Sequence, residues 1–227
     1  MDLNAKFFQV RSNAGFSFFP VSFVGLQAGF CTAGNCRDYK EEKDGKTIKE
    51  LSISATNPVD ILTEEETINL LENGTGILYF GFADCPWCRS LLPVLLSTLD
   101  NMSIDRLYYL NVGSIRDTLA LDEKNKVEVK EEGTQGYYKI LELMDSVLDP
   151  YYLTASNGKQ IDTKEKRLYA PTVVGIKEGK IVGIHVGTVD SQESGYNDLT
   201  EEEQRELNER LSELINKVYD VNCDEAC

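Results

Sequence analysis

The chain has 227 residues, of which six are cysteines, and its formal net charge at pH 7 is −15. This length suits one domain of ordinary size with extensions, and it is sufficient for a real hydrophobic core. The acidic balance argues against nucleic acid and anionic lipid as partners, because both carry negative charge. An even number of cysteines, with closely spaced pairs near both chain ends, favours an oxidising compartment over a reducing cytosol.

Residues 1–30 include a mostly apolar stretch, Phe16 to Phe30, that follows Lys6 and Arg11. The stretch is short for a membrane span and resembles the apolar region of a signal peptide. We therefore expect an exported or cell-envelope protein whose association with membranes is limited to this segment. A cytoplasmic location stays open, because Asp2 and the lack of a clean small-residue cleavage site are untypical of a signal peptide.

The next segments predict a linker, a strand and a helix. Residues 31–50 are polar and rich in Lys and Glu, with a turn at Asp44-Gly45, which indicates a linker. Leu51 to Ser54 alternates between apolar and polar residues, and this pattern predicts a first, edge strand. Thr63 and Glu66 form a capping box that predicts the start of a helix.

The most informative motif is Cys85-Pro86-Trp87-Cys88, because it lies between a predicted strand and a predicted helix. Gly76 to Phe82 is an apolar run typical of a buried strand, and Arg89 to Leu99 carries leucines at helical spacing. The unpaired N–H groups and the dipole at a helix start favour a thiolate at Cys85. A thiolate attacks disulfides, and a second cysteine can resolve the mixed disulfide, so the motif predicts a dithiol redox centre.

Two other interpretations of this motif stay open. A CxxC pair can be half of a zinc site, although such a site needs two further ligands and His185 is the chain's one histidine. A purely structural disulfide is the second alternative, although so short a loop stabilises a chain poorly. The other four cysteines form two pairs near opposite ends of the chain, Cys31 with Cys36 and Cys223 with Cys227.

The rest of the chain predicts alternating strands and helices, with the order β-α-β-α-β-α-β-β-α overall. This order indicates an α/β fold with a central mixed β-sheet flanked by helices. The remaining predicted elements are a strand at 107–112, a helix at 137–144, a loop or hairpin turn at 156–159, antiparallel strands at 172–176 and 180–186, and a helix opened by the capping box Thr200 and Glu203.

With the redox motif, this order resembles the thioredoxin-like superfamily over residues 51–219, with an enlarged region at about 113–168 before the strand that follows Pro171. Beside Cys85-Pro86-Trp87-Cys88, three features carry the resemblance. They are Pro93 in the helix after the motif, Ala170-Pro171-Thr172 at a strand start, and the hairpin Lys177 to Lys180 followed by Val186-Gly187.

The resemblance implies roles for several residues. Cys85 is implied to be an exposed nucleophile and Cys88 a buried resolving thiol. The Ala170–Pro171 bond is implied to be cis and to lie against the disulfide, with the Ala170 backbone pairing with an extended substrate. Trp87 is expected to be an exposed apolar contact beside the sulfur, with packing against a loop as the alternative.

Other residues next to the motif are expected to tune it. Asp84 opposes a thiolate at Cys85, whereas Arg89 favours one, and Pro86 belongs to the dipeptide that sets the redox potential in this superfamily. Tyr79 stands where thioredoxins have a buried acid that takes the proton from the resolving thiol. This departure leaves that task to water or to another group.

Among subfamilies, the chain looks most like the thioredoxin-like proteins of Gram-positive bacteria known as bacteriocin transport accessory proteins. The shared cues are the Cys-Pro-Trp-Cys motif, the enlarged region, Gly187 to Gln192, and a cysteine pair in the tail 220–227. That pair, Cys223 and Cys227, is a candidate second disulfide, with electron transfer to Cys88 as the alternative role.

The function expected from the sequence is thiol–disulfide exchange with protein substrates and with an unidentified redox partner, without a cofactor. The alternative is a non-catalytic accessory or chaperone-like module at the cell surface that binds extended peptides. A zinc-binding module is the third candidate.

Overall fold

The computed structural model describes residues 31–32, 42–43, 45–48, 51–53 and 57–219. The helices are α1 (Glu64–Asn73), α2 (Pro86–Asn101), α3 (Gln135–Leu143) and α4 (Glu201–Tyr219), with one 3₁₀ turn at Asp145–Val147. The strands are β1 (Cys31–Thr32), β2 (Glu42–Lys43), β3 (Lys46–Thr47), β4 (Ser52–Ile53), β5 (Val59–Ile61), β6 (Gly76–Gly81), β7 (Leu107–Asn111), β8 (Thr118–Leu121), β9 (Val127–Glu131), β10 (Pro150–Thr154), β11 (Gln160–Lys166), β12 (Thr172–Lys177) and β13 (Lys180–Val186).

A five-stranded mixed sheet forms the centre of the molecule, with the strand order β13-β12-β6-β7-β5. Strands β5, β7 and β6 run parallel, whereas β12 is antiparallel to both β6 and β13. Every residue of β6 is buried, as expected for an apolar central strand covered on both faces. The predicted mixed sheet flanked by helices is therefore confirmed.

Side chains of β6 alternate between two hydrophobic layers. Ile77 and Tyr79 belong to the layer that contains the leucines of α2 and α4. Leu78 and Phe80 belong to the layer formed with α1 and α3 on the other face. Successive strand residues point to opposite faces, so the period of two places Tyr79 on the same side as α2 and its cysteines.

The two capping boxes predicted from the sequence are present. The Thr63 hydroxyl accepts the Glu66 N–H at 3.2 Å, and the Glu66 carboxylate accepts the Thr63 N–H at 2.8 Å. Thr200 and Glu203 make the same reciprocal pair at the start of α4. Each box provides hydrogen-bond acceptors for backbone N–H groups that have no acceptor within the helix.

The edge strand of the central sheet differs from the prediction. Ser52–Ile53 is a strand, but it pairs in parallel with Cys31–Thr32 outside the central sheet. The edge position belongs instead to Val59–Ile61, which pairs with β7. This strand has three residues and follows Asn57-Pro58, so it is too short for its alternation of apolar and polar residues to predict a strand.

The enlarged region at 113–168 contains α3, close to the predicted helix, and two β-hairpins. The predicted turn at 156–159 joins β10 to β11, whereas the β8–β9 hairpin was not predicted. Its second strand is mostly charged and exposed, so no hydrophobic pattern marks it. A buried ion pair between Arg167 and Asp117 ties the end of this region to its beginning.

Some predicted segments lie wholly or partly outside the described residues. Within the predicted linker 31–50, the described residues form β1, β2, β3 and a turn at Gly45. The predicted targeting segment 1–30 lies outside the described residues, as do Cys36 and the tail with Cys223 and Cys227. No helix in the described part of the chain is long and apolar enough to cross a membrane.

The β12–β13 turn predicts a stability difference between two glycine variants. Gly179 has φ +70°, and a Cβ there would lie 2.1 Å from the Glu72 carbonyl oxygen. We expect Gly179→Ala to lower the free energy of unfolding by about 3 kcal/mol, through strain and steric overlap. Gly158 also has a positive φ of +82°, but it has no heavy atom within 4 Å of that position.

Gly158→Ala is thus the matched control, with an expected loss of about 1 kcal/mol from backbone strain alone. Chemical denaturation of both variants checks the difference. Equal losses would show that contact with α1 adds nothing to the constraint on this turn.

Candidate active site

Cys85 occupies the N-cap position of α2, immediately after a tight turn at the end of β6. Its N–H donates to the Phe82 carbonyl at 3.3 Å, and its sulfur accepts the Cys88 N–H at 3.2 Å. Pro86 follows at the first helical position, where a backbone N–H would have no acceptor within the helix. Cys85 and Cys88 are both thiols, with no disulfide between them. The helix start and the donated N–H both favour negative charge on the Cys85 sulfur.

The loop before β12 packs directly on this sulfur. The Ala170–Pro171 peptide bond is cis, as the resemblance implied. The Cys85 thiol donates to the Ala170 carbonyl oxygen at 3.5 Å, and Pro171 is buried beside it. The strand-to-helix junction and the cis-proline loop, 85 residues apart, therefore meet at one sulfur atom.

The exposure expected for Cys85 is wrong. Only 3 % of its surface is exposed, against 2 % for Cys88. Cys85 lies in the same hydrophobic cluster as Tyr79 and Val173, and the Ala170 backbone lies against its sulfur. Cys85 is therefore almost fully covered, and the Ala170 backbone is part of that cover.

Cys88 is one helical turn further into the core. Burial raises the pKa of its thiol well above the ordinary value, and the neighbouring Cys85 raises it further. The Phe82 backbone and the Tyr79 hydroxyl both oppose this rise in the Cys88 pKa. Because a buried thiolate is costly, Cys88 is protonated at neutral pH.

Tyr79 lies beneath the two cysteines on β6. Its ring stacks on that of Tyr109, with centroids 5.5 Å apart, and 1 % of its surface is exposed. Burial raises the pKa of the Tyr79 phenol well above its ordinary value, so the hydroxyl keeps its proton.

The other predicted motif residues surround the helix start. Trp87 is half-buried, and a Cβ on Gly195 would lie 2.7 Å from its backbone nitrogen, so it packs against that loop. The Arg89 side chain is buried, and its Nε donates to the Ala83 carbonyl at 2.7 Å, which braces the turn before the motif. Asp84 is half-buried within that turn.

A groove of about 420 Å³ lies beside the cis-proline loop. It brings together the predicted residues Trp87, Ala170 and Pro171. Tyr169 and Val186 form its apolar rim, with 40 % and 44 % of their surfaces exposed. The neighbouring aromatics Tyr151 and Tyr152 do not line this groove, although the Tyr151 ring contacts that of Tyr169. The lining also includes polar residues, which are Thr188, Asp190 and Gln192.

A buried polar network that the sequence did not predict holds the loop after β13 on α2. The Gln192 amide donates to the Ser90 hydroxyl at 3.2 Å and to the Asn197 carbonyl at 3.0 Å. The Ser90 hydroxyl in turn donates to the Gly195 carbonyl at 3.3 Å. Single polar residues carry no periodic signal, so only the segment Gly187 to Gln192, noted as a family cue, pointed to this loop.

His185 is half-buried in β13, which lies where the sequence predicted a strand at 180–186. Within the described residues, no group of three or more His, Cys, Asp or Glu side chains is placed to hold a metal ion. No protein-family model, curated protein or solved structure matches this chain.

The raised Cys88 pKa predicts how the native protein reacts with alkylating reagents. Each unit of rise lowers the thiolate fraction about tenfold at a given pH. We expect Cys88 in the reduced, folded protein to resist iodoacetamide at pH 8 and to become reactive only at strongly alkaline pH. Peptide mapping by mass spectrometry, with the denatured chain as control, measures this. Equal rates for folded and denatured protein would contradict the burial of the thiol.

Proposed function

We propose that this chain is a thiol–disulfide oxidoreductase of thioredoxin-like fold that exchanges disulfides with protein substrates. The observation that carries the proposal is the pair of contacts made by the Cys85 sulfur. The Cys85 sulfur receives a helix N–H at 3.2 Å and lies 3.5 Å from the carbonyl that precedes a cis proline. The first contact favours negative charge on the sulfur, and the second places a backbone hydrogen-bond acceptor beside it.

The arrangement of the fold supports the assignment to the thioredoxin-like class. The sheet order β13-β12-β6-β7-β5 places the motif at the carboxyl end of a central parallel strand. Helices cover both faces, and α2 contains Pro93 one turn and a half after Cys88. Ligands of open α/β sheets bind outside the carboxyl ends of such strands.

The proposed reaction has two exchange steps. The Cys85 thiolate attacks one sulfur of a substrate disulfide, so a Cys85–substrate bond forms and the other substrate sulfur leaves as a thiolate. Cys88 then loses its proton and attacks the Cys85 sulfur. The Cys85–Cys88 disulfide forms, and the second substrate sulfur leaves and takes up a proton. Two electrons pass to the substrate, and a dithiol partner restores the reduced protein; in the oxidising direction the steps run backwards.

The groove supports an extended polypeptide as the substrate. Trp87, Tyr169 and Val186 offer an apolar surface, and the Ala170 carbonyl is a backbone acceptor at its floor. A peptide N–H that bonds to this carbonyl would replace the Cys85 thiol as its donor and release the sulfur for attack. Substrate binding and exposure of the nucleophile are thereby coupled. We place this activity in the cell envelope, where disulfides persist.

A second candidate function has one observation in its favour. Cys85 is 3 % exposed, which also suits a non-catalytic module that binds extended peptides in the groove and never exchanges disulfides. The two functions differ in whether they require the Cys85 thiol. A binding module tolerates Cys85→Ser without loss, whereas an oxidoreductase does not.

A matched pair of serine variants tests the proposal. With insulin as a disulfide-containing probe and dithiothreitol as reductant, we expect Cys85→Ser to lower the catalysed rate at least about a hundredfold, because no nucleophile remains. Cys88→Ser keeps the nucleophile but lacks the resolving thiol, so it accumulates a covalent complex with the probe. Non-reducing electrophoresis and mass spectrometry detect that complex.

The same measurements separate the candidates. Wild-type protein without catalysed reduction, or a Cys88→Ser variant without a covalent adduct, would overturn the enzymatic function. A redox titration of the Cys85/Cys88 pair against glutathione then gives the direction of electron flow, since a low potential favours a reductase and a high one an oxidase or isomerase.

A further inference from the structure

The Tyr79 hydroxyl is a buried polar group whose hydrogen-bonding capacity is unused in the dithiol form. Among the described residues, its oxygen is one of four buried side-chain polar atoms without a hydrogen-bond partner. A buried hydroxyl without a partner is destabilising, typically by about 1–3 kcal/mol. Such a group in a core layer calls for an explanation, and its position beside the cysteines supplies one.

The surrounding backbone makes room for this hydroxyl. Gly81 lies two residues further along β6, on the same face, and a Cβ there would lie 2.5 Å from the Tyr79 oxygen. The ring is held from the other side by Tyr109, whose hydroxyl donates to the Gly81 carbonyl at 3.5 Å. Stacking and the glycine together fix where the phenol oxygen lies, in the core layer that also contains Cys85 and Cys88.

The proposed reaction requires negative charge to be stabilised at Cys88. Cys88 must become a thiolate before it attacks the mixed disulfide, and an apolar layer disfavours that anion. The side chains that act on the Cys88 thiol are Cys85 and Tyr79, together with the Phe82 backbone. During resolution, Cys85 is bonded to the substrate. Tyr79 is then the side-chain donor among these groups.

We propose that the Tyr79 hydroxyl donates a hydrogen bond to the Cys88 thiolate during resolution of the mixed disulfide, and is thus a catalytic residue of the second exchange step. The inference rests on the proposed function. The Cys88 proton leaves through solvent, the Cys88–Cys85 bond forms, the Cys85–substrate bond breaks, and the departing substrate thiolate takes up a proton. Tyr79 keeps its own proton throughout.

The chemistry of phenol fixes this role as a donor. A general base must be deprotonated, and Tyr79 is held in its protonated form by burial. A hydrogen bond to an ionised group is about twice as strong as one between neutral groups. The hydroxyl therefore stabilises the Cys88 thiolate more than the Cys88 thiol, and this preference for the anion speeds resolution.

The experiment follows the two steps separately on the full chain. Reduced protein is mixed with the aromatic disulfide dithiobis(nitrobenzoate), and acid-quenched samples are mapped by mass spectrometry. The adduct on Cys85 reports the first step, and its conversion to the Cys85–Cys88 disulfide reports the second. In Tyr79→Phe we expect an unchanged first step and a second step slower by about tenfold or more.

Tyr137→Phe is the matched control. Tyr137 is also buried with a hydroxyl that lacks a hydrogen-bond partner among the described residues, but it lies in the layer on the other face of the sheet. We expect both of its steps to proceed at wild-type rates. A Tyr79→Phe protein with a wild-type second step, or equal slowing in both variants, would overturn the role of Tyr79.

The pH profile of the second step separates a chemical role from a structural one. The titratable side chains that face Cys88 are Tyr79, Tyr109 and, in the free enzyme, Cys85. Loss of a donor to the thiolate raises the midpoint of the profile by about one pH unit. A midpoint that stays in place would overturn the proposal, whereas absence of any Cys85 adduct in wild-type protein would overturn the proposed function itself.

Site-specific replacement of Tyr79 by 3-fluorotyrosine keeps the ring and its packing if Tyr79→Phe does not fold. Fluorine makes the phenol a stronger donor, so we expect the midpoint of the second step to fall. An unchanged or higher midpoint would contradict donation to Cys88.

Discussion

The hydrogen bond from the Cys88 N–H to the Cys85 sulfur is the interaction around which the site is organised. It exists because α2 begins one residue after Cys85, so the sulfur takes the place that a serine or aspartate oxygen takes at an ordinary N-cap. The helix start is in turn fixed by β6, a fully buried strand whose carboxyl end leads into the turn before Cys85. A shift of one residue in this junction would exchange the faces of Tyr79 and Phe80 and separate the phenol from the cysteines.

This geometry gives two chemically identical side chains opposite tendencies. Cys85 lies at the positive end of a helix and receives an N–H, so negative charge there is favoured. Cys88 lies one turn inside, among leucines, where burial raises the pKa of the thiol. The difference comes from depth along the helix, because both residues are almost fully covered. A first sulfur at which negative charge is favoured and a protonated second sulfur are the pair that sequential disulfide exchange requires.

Local patterns predicted most of the scaffold, whereas interactions distant in sequence were missed. The apolar run of β6, the leucine spacing of α2 and the two capping boxes each depend on neighbouring residues, and each was found. Strand β5 forms because β7 offers it a free edge, and its own three residues carry no signal. The burial of Cys85 and the Ser90–Gln192 contact likewise depend on segments 85 and 102 residues away. No periodicity in one sequence encodes such contacts.

The enlarged region connects to the site through its last residues. Arg167 pairs with buried Asp117 and lies over the Tyr151 ring, and two residues later the Tyr169 ring meets that of Tyr151 edge-on. Tyr169 also lines the groove, and it directly precedes Ala170, whose carbonyl lies against the Cys85 sulfur. A buried ion pair holds strongly once formed, because removal of one partner leaves an uncompensated charge. The insertion is thereby placed to set the position of the loop whose backbone lies against the Cys85 sulfur.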